Sequence, residues 1–238
     1  DTMYSLRIQD KEKLQWIPEL KQAKGSPTAY RYSLLYADST YRNPDPKQEE
    51  PKLIIAHRNI KLYSDSMQAV CDSLSYSQQD STFRLYKNPV MWSKNQQSHA
   101  DTVFIKTIVN KLQEVNLRNN ALLVSLTGYE NVYDQVSGLF IDAFFDRNEI
   151  QRVHVDQNAE SIYYAKDDDG AYIGTNRAES AEMTVFFVNK EVDHILFIND
   201  PKGNFYPIDK LTDTNRYLNS FKLFTERKPK SKAEVMQD

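Results

Sequence analysis

Apolar side chains two residues apart, with polar ones between them, recur along this chain. That spacing puts them on one face of a β-strand. Four segments align without gaps around an asparagine, at Asn59, Asn88, Asn120 and Asn158, and a fifth carries Asp200 in its place. Positions three and five before each anchor are apolar in every copy: Ile54/Ala56, Phe83/Leu85, Val115/Leu117, Val153/Val155 and Ile195/Phe197. Asn and Asp tolerate a left-handed backbone, so the anchor predicts a bulge or bend within each strand. The fourth residue after the bend is often large and apolar, as at Tyr63, Trp92, Val124 and Ile162.

A second landmark precedes each anchor. It reads Ala37-Asp38-Ser39, Cys71-Asp72-Ser73 and Ala100-Asp101-Thr102, with looser forms at Ser137-Gly138 and Glu179-Ser180. Strands are expected to follow it, with inward pairs Leu74/Tyr76, Val103/Ile105, Ile141/Ala143 and Met183/Val185. Polar turns at Ser77–Asp80, Asp146–Glu149 and Asn189-Lys190 would join outgoing to returning strands, and another at Asp167–Gly170 would join Tyr163-Tyr164 to Tyr172-Ile173. Each unit is therefore a bent hairpin, and hairpins stacked in series cover one another's apolar faces. Asp1-Thr2-Met3-Tyr4 resembles Asp101-Thr102-Val103-Phe104, so the chain is expected to begin inside a repeat of a longer array.

Two regions interrupt the pattern. Residues 8–30 hold a short helix before Gly25-Ser26-Pro27, and 43–52 form a polar loop insertion. The reading is one β-repeat domain over 1–212 and a C-terminal piece over 213–238. That piece is a short helix from Asp213 to Phe221, capped by Thr212 or Asp213, followed by a solvated basic tail at Lys228–Lys232.

Composition narrows the chemistry. The net charge of −3, with 30 basic and 33 acidic residues interspersed, argues against a nucleic-acid partner. No apolar run approaches the length of a membrane-spanning helix. The lone Cys71 allows no internal disulfide and reads as a small buried apolar residue. No signal peptide is visible and the first residue is Asp1, so a preceding segment is expected to have been removed or to lie outside this chain.

The sequence has no Gly-rich phosphate loop and no nucleophile elbow. His57, His99, His154 and His194 are isolated, unlike zinc ligands, which come in sets. Asp167-Asp168-Asp169-Gly170 lacks the alternating spacing and distal Glu of a calcium loop and reads as a hairpin turn. Asp142 and Glu182 sit near matching repeat positions on outgoing strands, and strand alternation turns both away from the apolar face. Tyr63, Trp92, Tyr163 and Tyr164 could stack on sugars, but their even distribution favours packing. No catalytic residue, cofactor or metal is expected.

The same residues carry a family resemblance. Met67 through Ser77, continuing from Phe83 to Trp92, resembles the characteristic stretch of the OstA-like family, in particular its Bacteroidota members. Further matches are Asn158–Tyr164, Pro201–Ile208 and Arg227–Lys232. The resemblance covers roughly residues 31–232 and leaves out 8–30 and 43–52.

It implies an all-β, open β-jelly roll of stacked bent antiparallel hairpins, two facing sheets with an apolar slit between them. It implies a periplasmic, outer-membrane-associated bridge module of lipopolysaccharide transport, binding lipid A acyl chains and no nucleic acid. Its other partners would be modules of the same fold, or a second copy, joined edge to edge by β-augmentation. The positions matching the slit are Leu74, Tyr76, Phe83, Leu85, Val103, Ile105, Val115, Leu117, Ile141, Val153, Val155, Met183 and Val185. Two other readings remain open from the residues: a structural spacer with a filled core, and a carbohydrate-active β-solenoid enzyme.

Overall fold

The computed structural model describes residues 4–7, 14–15, 34–36, 39–42, 53–64, 67–109, 111–147, 149–189, 191–231 and 235. The helix expected within 8–30 and the insertion at 43–52 lie outside the described residues, apart from a two-residue strand at Leu14–Gln15. Asp1-Thr2-Met3 and Ala37-Asp38 lie outside them too. Among the described residues no helix is long and apolar enough to cross a membrane. The chain divides into two units, Asp1–Lys94 with Phe224–Asp238, and Asn95–Leu223.

The first unit holds β1 (Tyr4–Arg7), β2 (Leu14–Gln15), β3 (Leu34–Tyr36), β4 (Ser39–Arg42), β5 (Leu53–Tyr63), β6 (Gln68–Ser77), β7 (Thr82–Tyr86) and β8 (Val90–Ser93). All its pairings are antiparallel: β1 with β4, β2 with β3, and both β3 and β4 with β5. β6 pairs with β5 on one side and with β7 and β8 on the other.

The second unit holds β9 (Gln96–His99), β10 (Thr102–Ile108), β11 (Lys111–Leu126), β12 (Tyr133–Asp146), β13 (Glu149–Lys166), β14 (Tyr172–Val188), β15 (Glu191–Ile198) and β16 (Lys202–Pro207). β9 and β10 both pair with β11; then β11, β12, β13 and β14 pair in sequence order, and β14 ends on β15 and β16. Successive strands are thus hairpin neighbours, the arrangement expected of an all-β fold of stacked bent hairpins.

The anchors are where the strands bend. Each is a left-handed pair, Arg58/Asn59, Lys87/Asn88, Asn119/Asn120, Gln157/Asn158 and Asn199/Asp200, with φ from 49° to 64°. Two residues of the returning strand there oppose one of its neighbour. Residues 58–59 face Asp72, 119–120 face Leu139 and 157–158 face Ala181, the two-against-one count of a β-bulge. Leu139 lies beside the bulges of both β11 and β13, so in the second unit successive strands bend along one line and each acquires two legs.

The second landmark was expected to start each outgoing strand. Instead β6, β12 and β14 begin earlier, and Cys71-Asp72-Ser73, Ser137-Gly138 and Glu179-Ser180 lie at mid-strand beside the bulges. The acidic side chain there ties the corner. Asp72 meets the Lys87 ammonium at 2.9 Å, and the Asp101 carboxylate accepts from the Asn120 amide at 3.1 Å. The main chain contributes through Asp101 N–H, which donates to the Asn119 carbonyl at 3.0 Å. Returning strands run unbroken through Asn59-Ile60, Asn120-Ala121 and Asn158-Ala159, but break at Asn88-Pro89 and Asp200-Pro201, where proline has no N–H for the ladder.

At the C-terminus, α1 spans only Asp213–Arg216, and Tyr217 is extended where helix was expected to Phe221. Thr212 sits at the N-cap position, but its hydroxyl meets the Thr214 hydroxyl and not the backbone. The chain then packs against strands. In the second unit Leu218 joins Ile162 and Tyr164; in the first, Phe224 joins Val70, Val90 and Trp92, and Val235 joins Tyr63. The basic stretch expected in solvent has Pro229 buried and Lys228 half-buried.

Candidate functional site

Residues directly opposite one another on paired strands share a face of the sheet. On the first legs of the second unit this brings the sequence-predicted positions into two parallel rows. One is Val103–Leu117–Ile141–Val155–Met183–Phe197, and the other is Ile105–Val115–Ala143–Val153–Val185–Ile195. Nine of the thirteen candidate residues lie in these rows, with Ala143, Ile195 and Phe197 completing them. In the first unit the other four stand likewise, Ala56–Leu74–Leu85 beside Ile54–Tyr76–Phe83. Tyr76 and Phe83 pack ring on ring at 4.4 Å. Leu85, Val103, Leu117, Ile141, Val155 and Met183 have no exposed surface at all. Burial of such side chains contributes roughly 1.5–3 kcal/mol each.

The second legs supply the facing wall. Next to the bend it is made of small residues, with Ala121 opposite Gly138 and Ala159 opposite Ser180. A Cβ on Gly138 would come within 2.4 Å of Val155 Cγ1, so the two legs are in full contact at the corner. Farther out the wall reads Leu123–Val136–Ser161–Ala178–Gly203. Leu123, Val136 and Tyr163 are only half-buried there. Apolar packing is tight next to the bend and looser farther out along the second legs. The apolar face also surfaces at one end, where Ile195 and Phe197 are half-buried and Phe205 is 51% exposed.

The opposite face of the first legs is polar. Asp142 is 2.6 Å from both the Arg118 guanidinium and the Asn116 amide nitrogen. His154 Nδ1 lies 2.9 Å from the Thr184 hydroxyl, and His194 stacks on Phe186 with ring centroids 4.4 Å apart. Among the described residues no three His, Cys, Asp or Glu side chains are grouped to hold a metal. Burial, seconded by the neighbouring Asp72 charge, pushes the Cys71 thiol up to about 12, so it is neutral and unreactive near neutrality. Burial likewise raises the Asp134 carboxyl to about 6, against the lowering effect of the Tyr164 N–H it accepts at 2.8 Å.

Strand alternation alone missed the outer face of the second legs. Its central row is Gln97–Val124–Gln135–Ile162–Arg177–Asn204. Gln97 and Gln135 are 1% and 0% exposed, although polar. The C-terminal segment lies on them. Gln97 Nε2 donates to the Lys222 carbonyl at 2.7 Å, and Arg177 to the carbonyls of Thr214 and Tyr217 at 2.7 and 3.1 Å. The signal is visible in the repeat: Gln68, Gln97, Gln135 and Arg177 each stand four residues before the outgoing-strand residue at the bend. The large post-anchor residues Val124 and Ile162 lie in this row, and within the first unit Tyr63 and Trp92 are both opposite Gln68.

No protein-family model and no curated protein matches the sequence. Among solved structures, the chain is similar to LptH from Pseudomonas aeruginosa, described as the LptA-homologous periplasmic component of the conserved lipopolysaccharide transport device. The two share 16% sequence identity at a TM-score of 0.41, over 53% of this chain and 80% of that one.

Proposed function

We propose that this chain is a periplasmic module of lipopolysaccharide transport that shields acyl chains from water in the concavity between its two legs, and that it performs no catalysis. The observation that carries the reading is the unbroken double row in the second unit, six residues long in each row and aliphatic apart from Phe197, running across the strands with no polar interruption. An acyl chain needs a continuous surface of this kind, at roughly 25 cal/mol per Å² removed from water, and no shaped pocket. The half-buried Leu123, Val136 and Tyr163 are the natural entry, since packing next to the bend is tight. Among the described residues, β15 and β16 pair only with β14, and their free edges suit β-augmentation by another module of the same fold or a second copy.

The tight packing next to the bend favours a second reading, a spacer whose rows are simply core. Photo-crosslinking in cells distinguishes the two. A crosslinker at Leu123 or Val136 should capture lipopolysaccharide, while one at the outward Asn116 or His154 should not. Equal capture, or none, at the inner positions would leave the spacer reading standing and discard transport.

A further inference from the structure

The outer face of the second legs does more than bury a loose end. Gln135 is fully buried, and its amide makes two contacts with the C-terminal segment: Nε2 donates to the Arg216 carbonyl at 2.7 Å, and Oε1 accepts from Leu218 N–H at 2.9 Å. Donating to residue i and accepting from residue i+2 is what a neighbouring β-strand does for an extended chain. Gln97 and Arg177, at the same repeat position, also donate to main-chain carbonyls. Recognition is therefore largely of backbone, with Leu218 as the apolar anchor between Ile162 and Tyr164. This is the chemistry of a surface that recognises a peptide's main chain around one apolar anchor.

We propose that this face is a peptide-binding site, filled in cis by residues 213–222 and filled in exchange by the same segment of a second copy of this chain. A second copy's segment carries the same main-chain groups and the same Leu218 to make these contacts. Of the two links that would have to redirect the segment, the preceding one is exposed, running through Pro207, Ile208, Asp209 and Lys210, with Ile208 at 39%, and the following one leads to the buried Phe224. Exchange of an identical element joins protomers without any new interface chemistry. The inference does not depend on the lipid reading, because the face lies on the opposite side of the sheet from the apolar concavity.

The test uses the full chain and a fluorescein-labelled synthetic peptide of residues 211–223, followed by anisotropy. Leu218→Ala in the chain weakens the cis ligand but leaves the surface intact, so labelled peptide should bind at least tenfold more tightly than to the unsubstituted chain. Adding Gln135→Ala to that variant should reverse the gain. Should Leu218→Ala lose its β-sheet circular dichroism, a chain cut by a protease at a site inserted after Lys210 replaces it, with the same expectation. Native mass spectrometry of two mass-labelled populations, warmed together, should give mixed dimers that excess peptide dissolves. Failure of the peptide to bind the folded loosened chain, or binding indifferent to Gln135, overturns the site; dimers that survive excess peptide overturn the exchange.

Discussion

Asp134 is a carboxylate whose surroundings oppose its charge. Burial holds its carboxyl neutral up to about pH 6 in the folded chain, while in the unfolded chain it ionises near its ordinary value of 3.8. Between those values the unfolded chain releases its proton first, so the folded state loses stability as pH rises through the window, and the loss is complete above pH 6. Asp134→Asn keeps an oxygen for the Tyr164 N–H and never ionises. Its stability relative to the native chain should rise from pH 4 to pH 7 by up to about 3 kcal/mol, read from urea unfolding at both values. A difference that is flat or falls with pH would mean the carboxyl is solvated. No sequence pattern pointed to Asp134, because burial depends on what the fold packs around a residue.

At the scale of the element, the bent hairpin was legible in the sequence because both halves of its signal are local. A period of two marks the strand, and an Asn or Asp tolerant of positive φ marks the bend. All five anchors bend as expected. The role of the second landmark was not legible. Ser137-Gly138 looks like punctuation before a strand, yet Gly138 is there because Val155 of the neighbouring strand occupies the space of its missing side chain. Gly138→Ala should therefore cost about 1–3 kcal/mol, and Val155→Ala should relieve part of that. A double-mutant cycle by chemical denaturation should show the two coupled by at least 0.5 kcal/mol on the usual scale for residues in contact. Strict additivity would mean that the legs do not meet at this corner. The C-terminal segment was misread for a related reason. Pro229 and Val235 look solvent-bound among charges, and only the face they cover explains their burial. Gln97 and Gln135 likewise sit at positions that alternation assigns to water, because the sequence does not say that a second layer of chain lies over them.

At the scale of the whole molecule, the rungs of one row are chemically alike but unequal in exposure. Val155 is sealed between Ile141 and Met183, whereas Phe197, at the end of the same row, is half-buried. A charge at Val155 has no route to water, and Val155→Asp should unfold the second unit or cost more than about 4 kcal/mol. Phe197→Asp should leave thermal unfolding within a few degrees of the native chain while abolishing any association through the β15 and β16 edge, measured by analytical ultracentrifugation. Equal destabilisation by the two would show the end of the row to be as closed as its middle. That the thirteen proposed lining residues stand in rows was legible in the sequence because each rung repeats the same pair. Which rungs are open was not, since exposure depends on what stands beside the last strand.

The alignment of the bulges has an evolutionary corollary. Because successive strands of the second unit turn along one line, duplicating or deleting a whole hairpin would lengthen or shorten the concavity by two strand spacings, about 9.6 Å, and leave its cross-section untouched. A single-residue insertion between bend and turn would instead swap the inward and outward faces of that leg. Length in such a scaffold is free to drift in hairpin-sized steps, while the phase of each strand relative to its bend is not.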